Sequence, residues 1–495
     1  MKFQVKDIDI ATAGPLVVVL HKKDAQTLDL HAGDRVLVKT GRKKSVVIVD
    51  ISESSRHLKP GDLGCFEEVL DKLSLKQGDA VELASARKPY SIELIKCKLQ
   101  GCTLSESQMD IIVKDIVNDE LTEGELTYFV SGCYTNGLHI KETVALTKAI
   151  VKHGRQLAIP KGHIIDKHCV GGVPGNRTTL LVVPIIAAAG YLLPKTSSRS
   201  ITSPAGTADT MEVLCNVTLP VEEITRIVKK INACIAWGGG VNLAAADDKL
   251  IRVRHPLSID PEGMLLASIL AKKKAVGASH VIIDIPVGKH TKIRTKKQAE
   301  HLKSEFYRVG KKIGIKVHVV ITKGEEPIGN GIGPALEARD VLWVLRRDPR
   351  GPKDLEKKSI MLAGDLFHVA GVKNGREMAR EILESGKAYA KMQEIIYEQG
   401  GDPDVDPEDI KIGEMEFTVN APRSGVIEEI NTSTISHIAR MAGAPLDPEA
   451  GLFLHVHVGD KVQKGDPLFT IYSKTKDNLH FAKRAFYEDT AITIR

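Results

Sequence analysis

The most informative stretch of this chain reads Asp166-Lys167-His168-Cys169-Val170-Gly171-Gly172-Val173-Pro174-Gly175-Asn176-Arg177-Thr178-Thr179. An apolar strand start precedes it at residues 164–165, and a long apolar run follows it at residues 180–189. Glycines in such a turn let backbone N–H groups approach an oxyanion without a Cβ in the way. Hydroxyl residues at the start of the next helix and a lysine before the turn add donors and charge. The stretch therefore predicts an oxyanion site in a strand–turn–helix unit, with an ordinary tight turn as the alternative.

The glycine spacing separates this turn from two familiar phosphate loops. It lacks the Gly-Lys-Ser/Thr ending of the P-loop, and it does not have the spacing of the dinucleotide fingerprint. It resembles instead the glycine signature of the thymidine and pyrimidine-nucleoside phosphorylase family, which reads Lys-His-Ser-Thr-Gly-Gly-Val-Gly-Asp and continues to a Ser or Thr. The chain departs from that signature at Cys169, where the family has Ser, and at the inserted Pro174.

Further blocks in the same order extend the resemblance from about Tyr90 to the C-terminus. Residues 194–209 look like the family's segment Ser-Gly-Arg-Gly-Leu-Gly-His-Thr-Gly-Gly-Thr-Leu-Asp. Arg254, Ser268 and Lys272 fall near its base-binding Arg, Ser and Lys. Its Gly-Asn and Glu-Val-Arg-Glu block is matched by Gly329-Asn330-Gly331 and Glu337-Ala338-Arg339-Asp340.

Composition places the chain among globular proteins. Its 495 residues suggest about three domains, and 42% hydrophobic with 27% charged residues are globular values. The apolar runs are shorter than a membrane span, and the N-terminus lacks an apolar signal-peptide region, so we expect a cytoplasmic protein without membrane contact. A net charge of +6 with 4% aromatic residues argues against nucleic-acid binding. The seven cysteines show no zinc spacing, which favours buried or free thiols and leaves a disulfide as the alternative.

Hydrophobic periodicity predicts an α/β protein with four parts. Short β-like runs at residues 15–20, 35–38 and 45–49 indicate a small barrel. Capping-box patterns at Ser105 and Thr122 indicate helices. Apolar strands recur at 281–285 and 317–321. We expect a mixed or parallel sheet in the α/β part, and a ligand cleft beside the helical part. The predicted parts, with the roles that the family resemblance implies for them, are a β-barrel-like N-terminal assembly domain (1–85), a small helical domain for base binding and dimerisation (86–154 plus 241–274), a large α/β phosphate-binding domain with a mixed sheet (155–240 plus 275–413), and a C-terminal domain (414–495).

The C-terminal part resembles the barrel-sandwich hammerhead of biotinyl and lipoyl domains. The resemblance lies in residues 420–427 and 456–468. No Met-Lys-Met or Asp-Lys-Ala hairpin for a covalent cofactor stands between them, so an unmodified packing domain is favoured. We expect no cofactor and no metal for this chain.

The resemblance implies phosphorolysis of an N-glycosidic bond. Phosphate is held beneath C1′, the ribose becomes oxocarbenium-like, and the leaving base is protonated, so that positioning and electrostatics carry the reaction. For the phosphate the resemblance assigns Lys167, Cys169, Gly171, Thr179, Ser197 and Thr207. The thiol of Cys169 is a weak donor, which leaves its backbone N–H as the alternative contact.

A second group of residues is assigned to the nucleoside or nucleotide. The resemblance suggests His168, Arg254, Ser268 and Lys272 for the base, and the four-residue spacing of the last two puts them on one helix face. Hydroxyl residues replace the family's glycines around Arg199, which favours a second anion such as a nucleotide 5′-phosphate. Lys292 lies in a basic loop (289–294) that could close over the same anion; the alternative interpretation is a loop exposed to solvent. The substrate contacts assigned here are Gly172, Ser198, Arg199, Ser200, Ile201, Thr202, Ser203, Thr207 and Lys292.

Asp260 is the candidate general acid. It precedes the helix that carries Ser268 and Lys272, where an Asp before Pro commonly acts as an N-cap. Resemblance to AMP phosphorylases of the archaeal type points to the same residue as proton donor to the leaving base. The two roles are compatible.

Within the family, the N-terminal extension and the hydroxyl-rich segment resemble the archaeal AMP phosphorylase branch. That branch implies conversion of AMP, and also CMP and UMP, with inorganic phosphate into free base and ribose 1,5-bisphosphate, by a homodimer or a larger homo-oligomer. The alternatives are a pyrimidine-nucleoside phosphorylase, an anthranilate-type phosphoribosyltransferase and a non-catalytic nucleotide sensor. A phosphoribosyltransferase needs Mg²⁺, and no acidic pair for it stands near the glycine loop.

Overall fold

The computed structural model describes residues 1–12, 15–86, 88–159, 164–200, 203–241, 243–257 and 259–495. The chain divides into two compact units. One is formed by Met1–His153 and Ala245–Leu265, the other by Gly154–Ala244 and Leu266–Arg495. Within the described ranges, every helix is too short or too polar to cross a membrane.

The N-terminal residues form a closed six-stranded barrel, as the short β-like runs predict. Its strand order is β1-β5-β2-β4-β3-β6, and β6 pairs back onto β1. Alternate side chains such as Phe3 and Val5 point into an apolar core, because successive residues of a strand face opposite sides. Closure leaves no unpaired edge strand. The elements are β1 (Lys2–Asp7), β2 (Val17–His21), α1 (Lys22–Thr27), β3 (Arg35–Thr40), β4 (Lys43–Ser52), β5 (Asp62–Cys65), α2 (Glu67–Leu73) and β6 (Ala80–Ser85).

Four helices follow the barrel, and both predicted capping boxes are present. Ser105 and Thr122 each accept the backbone N–H of the third helical residue, whose side chain accepts the N–H of the cap in return. Apolar side chains of these helices pack inward, among them Met109, Ile112 and Phe129. The helices are α3 (Ser91–Leu99), α4 (Glu106–Val117), α5 (Glu123–Asn136) and α6 (Ile140–His153).

One disulfide departs from the favoured expectation of free thiols. Cys97, in the last turn of α3, is bonded to Cys102, and their Cα atoms are 5.2 Å apart. The turn after α3 brings the two residues within the reach of a disulfide. The other five cysteines are free.

The stretch from residue 165 to residue 398 alternates strands and helices; it contains the α/β part and, at Ala245–Leu265, the segment that belongs to the first unit. Its elements, in chain order, are β7 (Ile165–Cys169), α7 (Thr178–Ala188), β8 (Leu193–Ser197), α8 (Thr207–Glu212), α9 (Val221–Ile231), β9 (Ala233–Trp237), α10 (Ala245–Arg254), α11 (Glu262–Ala275), β10 (His280–Val287), α12 (Lys296–Ile313), β11 (Lys316–Lys323), β12 (Gly331–Ile332), α13 (Pro334–Leu345), α14 (Lys353–Val369), α15 (Gly375–Glu384) and α16 (Lys387–Glu398). Short 3-10 turns occupy Gly239–Val241, His255–Leu257 and Pro407–Asp409.

The described strand pairs within the α/β part are parallel, which is one of the two arrangements that we expected. Strands β11, β10 and β7 pair in parallel, and so do β8 and β9. A parallel bridge between Ile164 and Leu192 connects the two sets. The described pairings are parallel because helices between consecutive strands return the chain to the starting edge. Strand β12 pairs instead with the C-terminal part.

The C-terminal part is built from two antiparallel sheets with two helices. The sheet orders are β12-β15-β17-β13 and β16-β14-β18. One apolar core fills this part, with Ile435, Leu452, Phe469 and Ile471 among its buried members. The elements are β13 (Met415–Asn420), β14 (Gly425–Ile430), α17 (Thr432–Met441), β15 (Gly451–Leu454), β16 (Lys461–Val462), β17 (Pro467–Ser473), α18 (Lys476–Glu488) and β18 (Ile492–Ile494).

Candidate active site

The glycine turn joins β7 to α7, as the sequence predicts. Gly171, Gly172 and Gly175 have φ angles of +95°, +92° and +71°, which L side chains rarely adopt. A Cβ on Gly175 would lie 2.2 Å from the carbonyl oxygen of Ile328, and one on Gly172 would lie 2.8 Å from the backbone nitrogen of Lys292. The turn therefore needs glycine for conformation and for space, and the predicted basic loop packs directly against it.

Lys167 lies beneath the turn and organises its hydroxyl groups. Its side chain is buried, and Nζ donates to Thr178 Oγ1 at 2.6 Å and to Thr179 Oγ1 at 3.3 Å. An ammonium group only donates, so both hydroxyls accept from it. Thr178 donates its own hydroxyl proton to Asn176 Oδ1 at 3.2 Å, whereas no described residue accepts the hydroxyl proton of Thr179, which is left for an anion. Burial lowers the pKa of Lys167, and a bound phosphate would favour its charged form.

Two buried carboxylates, to which no role was assigned from the sequence, form ion pairs with further lysines at β7 and the neighbouring β10. Asp166 Oδ2 lies 2.6 Å from Lys273 Nζ, and its Oδ1 lies 3.6 Å from Lys195 Nζ. Asp284 Oδ2 lies 3.1 Å from Lys358 Nζ. Buried charges of this kind are stable only when paired. Apolar neighbours around Asp166 and Asp284 in the sequence were the only available signal of their burial.

Electrostatics differ between the two residues that follow Lys167. Burial, followed by the fields of Lys273, Lys195 and Lys272, holds the pKa of His168 well below its usual range, so its imidazole is neutral. The assignment of His168 and Lys272 to one base stays a prediction. Burial raises the pKa of the Cys169 thiol to about 11. The thiol is neutral and remains a weak donor.

Asp209 holds two described points of the segment that follows β8. One carboxylate oxygen of Asp209 accepts the backbone N–H groups of Ser200 at 2.7 Å and Gly206 at 2.8 Å. Ser197 Oγ is buried and has no hydrogen-bond partner among the described residues. A buried hydroxyl without a partner is unfavourable, which suits a position that a bound oxyanion completes.

Arg199 is already paired within this loop. It contacts Glu212, lies 3.4 Å from Asp209 Oδ1, and its guanidinium carbon stands 4.9 Å above the Trp237 ring. A 5′-phosphate at this place would share Arg199 with Glu212. Ser203 Oγ lies 3.0 Å from Ser200 Oγ in the same loop, and Ser198 is exposed. Ile201 and Thr202 lie outside the described residues.

The residues assigned to the base and to proton transfer are distributed over both units. In the first unit, Arg254 is buried, and its Nη1 lies 3.3 Å from Asp260 Oδ1. In the second unit, Ser268 and Lys272 lie one turn apart on α11, as their spacing predicts. Lys292 is exposed, while its neighbours Lys289 and His290 contact Glu429 rather than an anion site.

The block at 329–340 holds two buried acidic residues with defined partners. Asp340 Oδ2 accepts the backbone N–H groups of Asn330 and Gly331, each at 2.7 Å. Burial raises the pKa of Asp340 to about 7. Glu337 contacts Arg177 of the glycine turn and accepts from Thr210 Oγ1 at 2.9 Å. Resemblance marked this block without giving its residues a role.

Among the residues that the structure describes, the Asp, Glu, His and Cys side chains form no cluster that could hold a metal ion.

Three family models match consecutive parts of the chain. The helical bundle domain of the glycosyl transferase family matches residues 92–154, and the a/b domain of that family matches residues 161–389. The C-terminal domain of pyrimidine nucleoside phosphorylase matches residues 426–493. These matches define a glycosyl transferase with a C-terminal domain of the pyrimidine nucleoside phosphorylase type.

Curated relatives narrow the assignment. The chain is 47% identical to the AMP phosphorylase of Pyrococcus furiosus, over 97% of this chain and 95% of the relative. It is 44% identical to that of Thermofilum pendens, over 96% and 92%. It is 45% identical to AMP phosphorylase 1 of Archaeoglobus fulgidus, over 93% and 91%. The chain belongs to the AMP phosphorylase family.

A solved structure supports the fold alone. Anthranilate phosphoribosyltransferase from Thermus thermophilus is similar with a TM-score of 0.53 and 19% identity, over 62% of this chain and 98% of that one.

Proposed function

We propose that this chain is a pentosyltransferase that converts AMP and inorganic phosphate into adenine and ribose 1,5-bisphosphate, and that it also accepts CMP and UMP. The observation that carries the proposal is the near full-length similarity to AMP phosphorylases, 44–47% identity over 92–97% of either chain for the two relatives from Pyrococcus and Thermofilum. It includes the N-terminal barrel, which ordinary nucleoside phosphorylases of the family lack.

Phosphate is proposed to bind at the glycine turn. Lys167 supplies the charge, and Thr179 supplies a hydroxyl proton that no residue described around it takes up. Ser197 Oγ, which lacks a partner in the described structure, and Thr207 supply further donors, and the backbone N–H groups at Cys169 and Gly171 complete the set. Preorganised donors of this kind hold phosphate for attack at C1′ without the need for a protein nucleophile.

The nucleotide is proposed to bind with its 5′-phosphate at residues 198–203 and Lys292, near Gly172. Neutral His168 and Lys272, with Ser268 and Arg254, contact the base, and Asp260 donates the proton as the base leaves. Positive charge from the buried lysines stabilises the two anionic reactants in a site of low dielectric constant. Water exclusion then favours phosphorolysis over hydrolysis.

The assembly is proposed to follow the predicted division into four parts. Residues 86–154 plus 241–274 contact the base and form a dimer, and 155–240 plus 275–413 bind phosphate. The barrel (1–85) builds larger oligomers, and 414–495 is an unmodified packing domain of the barrel-sandwich type. Because AMP and phosphate are metabolites of the cytoplasm, the cytoplasm is the proposed location.

Paired substrates test the proposed function. Initial rates with AMP and adenosine, and with UMP and uridine, are compared at one phosphate concentration. We expect kcat/KM to be higher for each nucleotide than for its nucleoside. Preference for uridine or thymidine would indicate the pyrimidine-nucleoside alternative. Activity only with a diphosphate-ribose donor and Mg²⁺ would indicate a phosphoribosyltransferase, and binding of AMP without turnover would indicate a sensor.

A further inference from the structure

Arg177 connects three segments of the second unit through a buried side chain. It stands just before α7, at the end of the glycine turn, and is 7% exposed. Its Nη2 donates to the backbone oxygen of Ala205 at 2.8 Å, and its Nη1 donates to Thr207 Oγ1 at 3.3 Å. Its Nε contacts the carboxylate of Glu337 on α13. The side chain therefore ties the glycine turn to Ala205 and to Thr207 at the start of α8.

The direction of the bond to Thr207 determines what that hydroxyl offers a ligand. A guanidinium group has only donors, so Thr207 Oγ1 must accept from Arg177. The hydroxyl proton of Thr207 is then left to donate, and no acceptor for it lies among the residues that the structure describes. Lys167 has the same effect on Thr179, whose proton is likewise available. The two cations thus orient two hydroxyl donors.

Glu337 fixes the orientation of Arg177. The carboxylate is buried, contacts Nε of Arg177, and accepts from Thr210 Oγ1 of α8 at 2.9 Å. Thr210 follows Thr207 by three residues on α8, so the Glu337 carboxylate holds both Arg177 and the helix that carries Thr207. A planar guanidinium held in this way has little freedom to reorient.

We infer that Arg177 is a positioning residue of the anion site, which acts through Thr207. Held by Glu337, it fixes the backbone at Ala205 and directs the Thr207 hydroxyl proton toward the bound phosphate. The inference rests on the proposed function for the identity of the anion. It assigns no direct contact between Arg177 and the substrate.

A double-mutant cycle tests the inference. The variants are R177K, T207V and R177K/T207V, and the readouts are KM for phosphate and kcat at saturating AMP. Lysine keeps a charge beside Glu337 but cannot hold Ala205 and Thr207 in the same fork geometry. We expect R177K and T207V each to raise KM for phosphate about tenfold, with a smaller effect on kcat, and the double variant to be no worse than T207V. Multiplied effects in the double variant, or an unchanged KM in R177K, would overturn the inference.

Controls separate positioning from loss of folding. Replacement of Arg177 by Met would leave Glu337 buried without its cation and would destabilise the protein, so R177K is the deciding variant. Thermal melting is measured for each variant. R226M removes an arginine on the exposed face of α9 that pairs with two carboxylates, Glu223 of α9 and Glu398 of α16. We expect it to keep the wild-type KM for phosphate. A change in R226M equal to that in R177K would also overturn the inference.

Calorimetry with inorganic phosphate alone distinguishes this inference from the proposed function. If the wild type binds phosphate and R177K binds it about tenfold more weakly, the positioning role stands even where AMP is not turned over. If the wild type turns over AMP while R177K binds phosphate equally well, the proposed function stands and the positioning role fails. A wild type that does not bind phosphate would contradict both.

Discussion

Lys273 Nζ of α11 lies 2.6 Å from Asp166 Oδ2 of β7, and both side chains are buried. Asp166 directly precedes the phosphate candidate Lys167, and Lys273 directly follows the base candidate Lys272. The pair therefore joins the strand of the proposed phosphate site to the helix of the proposed base site, although neither residue touches a ligand in the proposed mechanism.

Loss of Lys273 is expected to destabilise the protein strongly. In K273M the buried carboxylate of Asp166 keeps Lys195, at 3.6 Å, and the backbone N–H of Lys167, at 2.6 Å. Removing one partner of a buried ion pair costs about 3–5 kcal/mol. The melting temperature of K273M measures this loss. The control is K274M, which changes an exposed neighbour in the same helix and should shift stability by less than about 0.5 kcal/mol. Equal melting temperatures for the two variants would show that the pair contributes little.

Replacement of Arg199 is expected to discriminate between nucleotide and nucleoside. If the guanidinium shares its charge between Glu212 and the 5′-phosphate, R199A should lower kcat/KM for AMP about ten- to hundredfold more than for adenosine. S203A should change the same ratio in the same direction. The measurement is kcat/KM for both substrates in each variant. A uniform loss on AMP and adenosine would place these residues outside the 5′-phosphate site.

Asp260 is expected to act in proton transfer. D260N should lower kcat by about 10²–10⁴, the range typical of general acid catalysis. Its effect on stability should be small, because Asp260 is 36% exposed at its ion pair with Arg254 and Asn also caps helices well. Turnover of AMP by D260N at nearly the wild-type rate would leave Asp260 with a structural role alone. Thermal melting of the variant provides the control.

Asp340 is expected to make stability depend on pH. Its folded-state pKa is raised from 3.8 to about 7 by burial, so the folded state binds its proton more tightly than the unfolded state. This contribution is fully present below pH 4 and is lost as pH rises toward about 7. D340N lacks it, so the melting temperature of D340N relative to wild type should increase between pH 4 and 7 and stay constant above. A constant difference from pH 4 to 8 would contradict the raised pKa.

Local sequence patterns were sufficient for much of the fold. The glycine turn, both capping boxes and the N-terminal barrel strands follow from short-range rules on backbone freedom, helix caps and alternation. Strand–helix alternation left a mixed and a parallel sheet open for β7 to β11, because strand direction depends on where each crossover helix returns the chain. The disulfide between Cys97 and Cys102 depends on redox conditions and on the turn between them.

The charged part of the site could not be read from the sequence in the same way. Lys273 lies in a run of three lysines that reads as a solvated helix end, yet it is the member whose position on α11 faces Asp166. Arg177 reads as a surface residue of a turn, and its partners Ala205 and Glu337 are 28 and 160 residues away. Pairings over such distances depend on the assembled fold. Resemblance identified the segments, and the structure showed their contacts.

The dependence of AMP cleavage on phosphate tests the central claim most directly. Wild-type enzyme is incubated with AMP in phosphate-free buffer, with phosphate, and with arsenate, and both adenine and the sugar product are quantified. We expect adenine to be released only with phosphate or arsenate, and to appear with ribose 1,5-bisphosphate in equal amount when phosphate is present. Release of adenine at the same rate in phosphate-free buffer would show hydrolysis and would contradict the assignment of Lys167 and the glycine turn to a phosphate co-substrate.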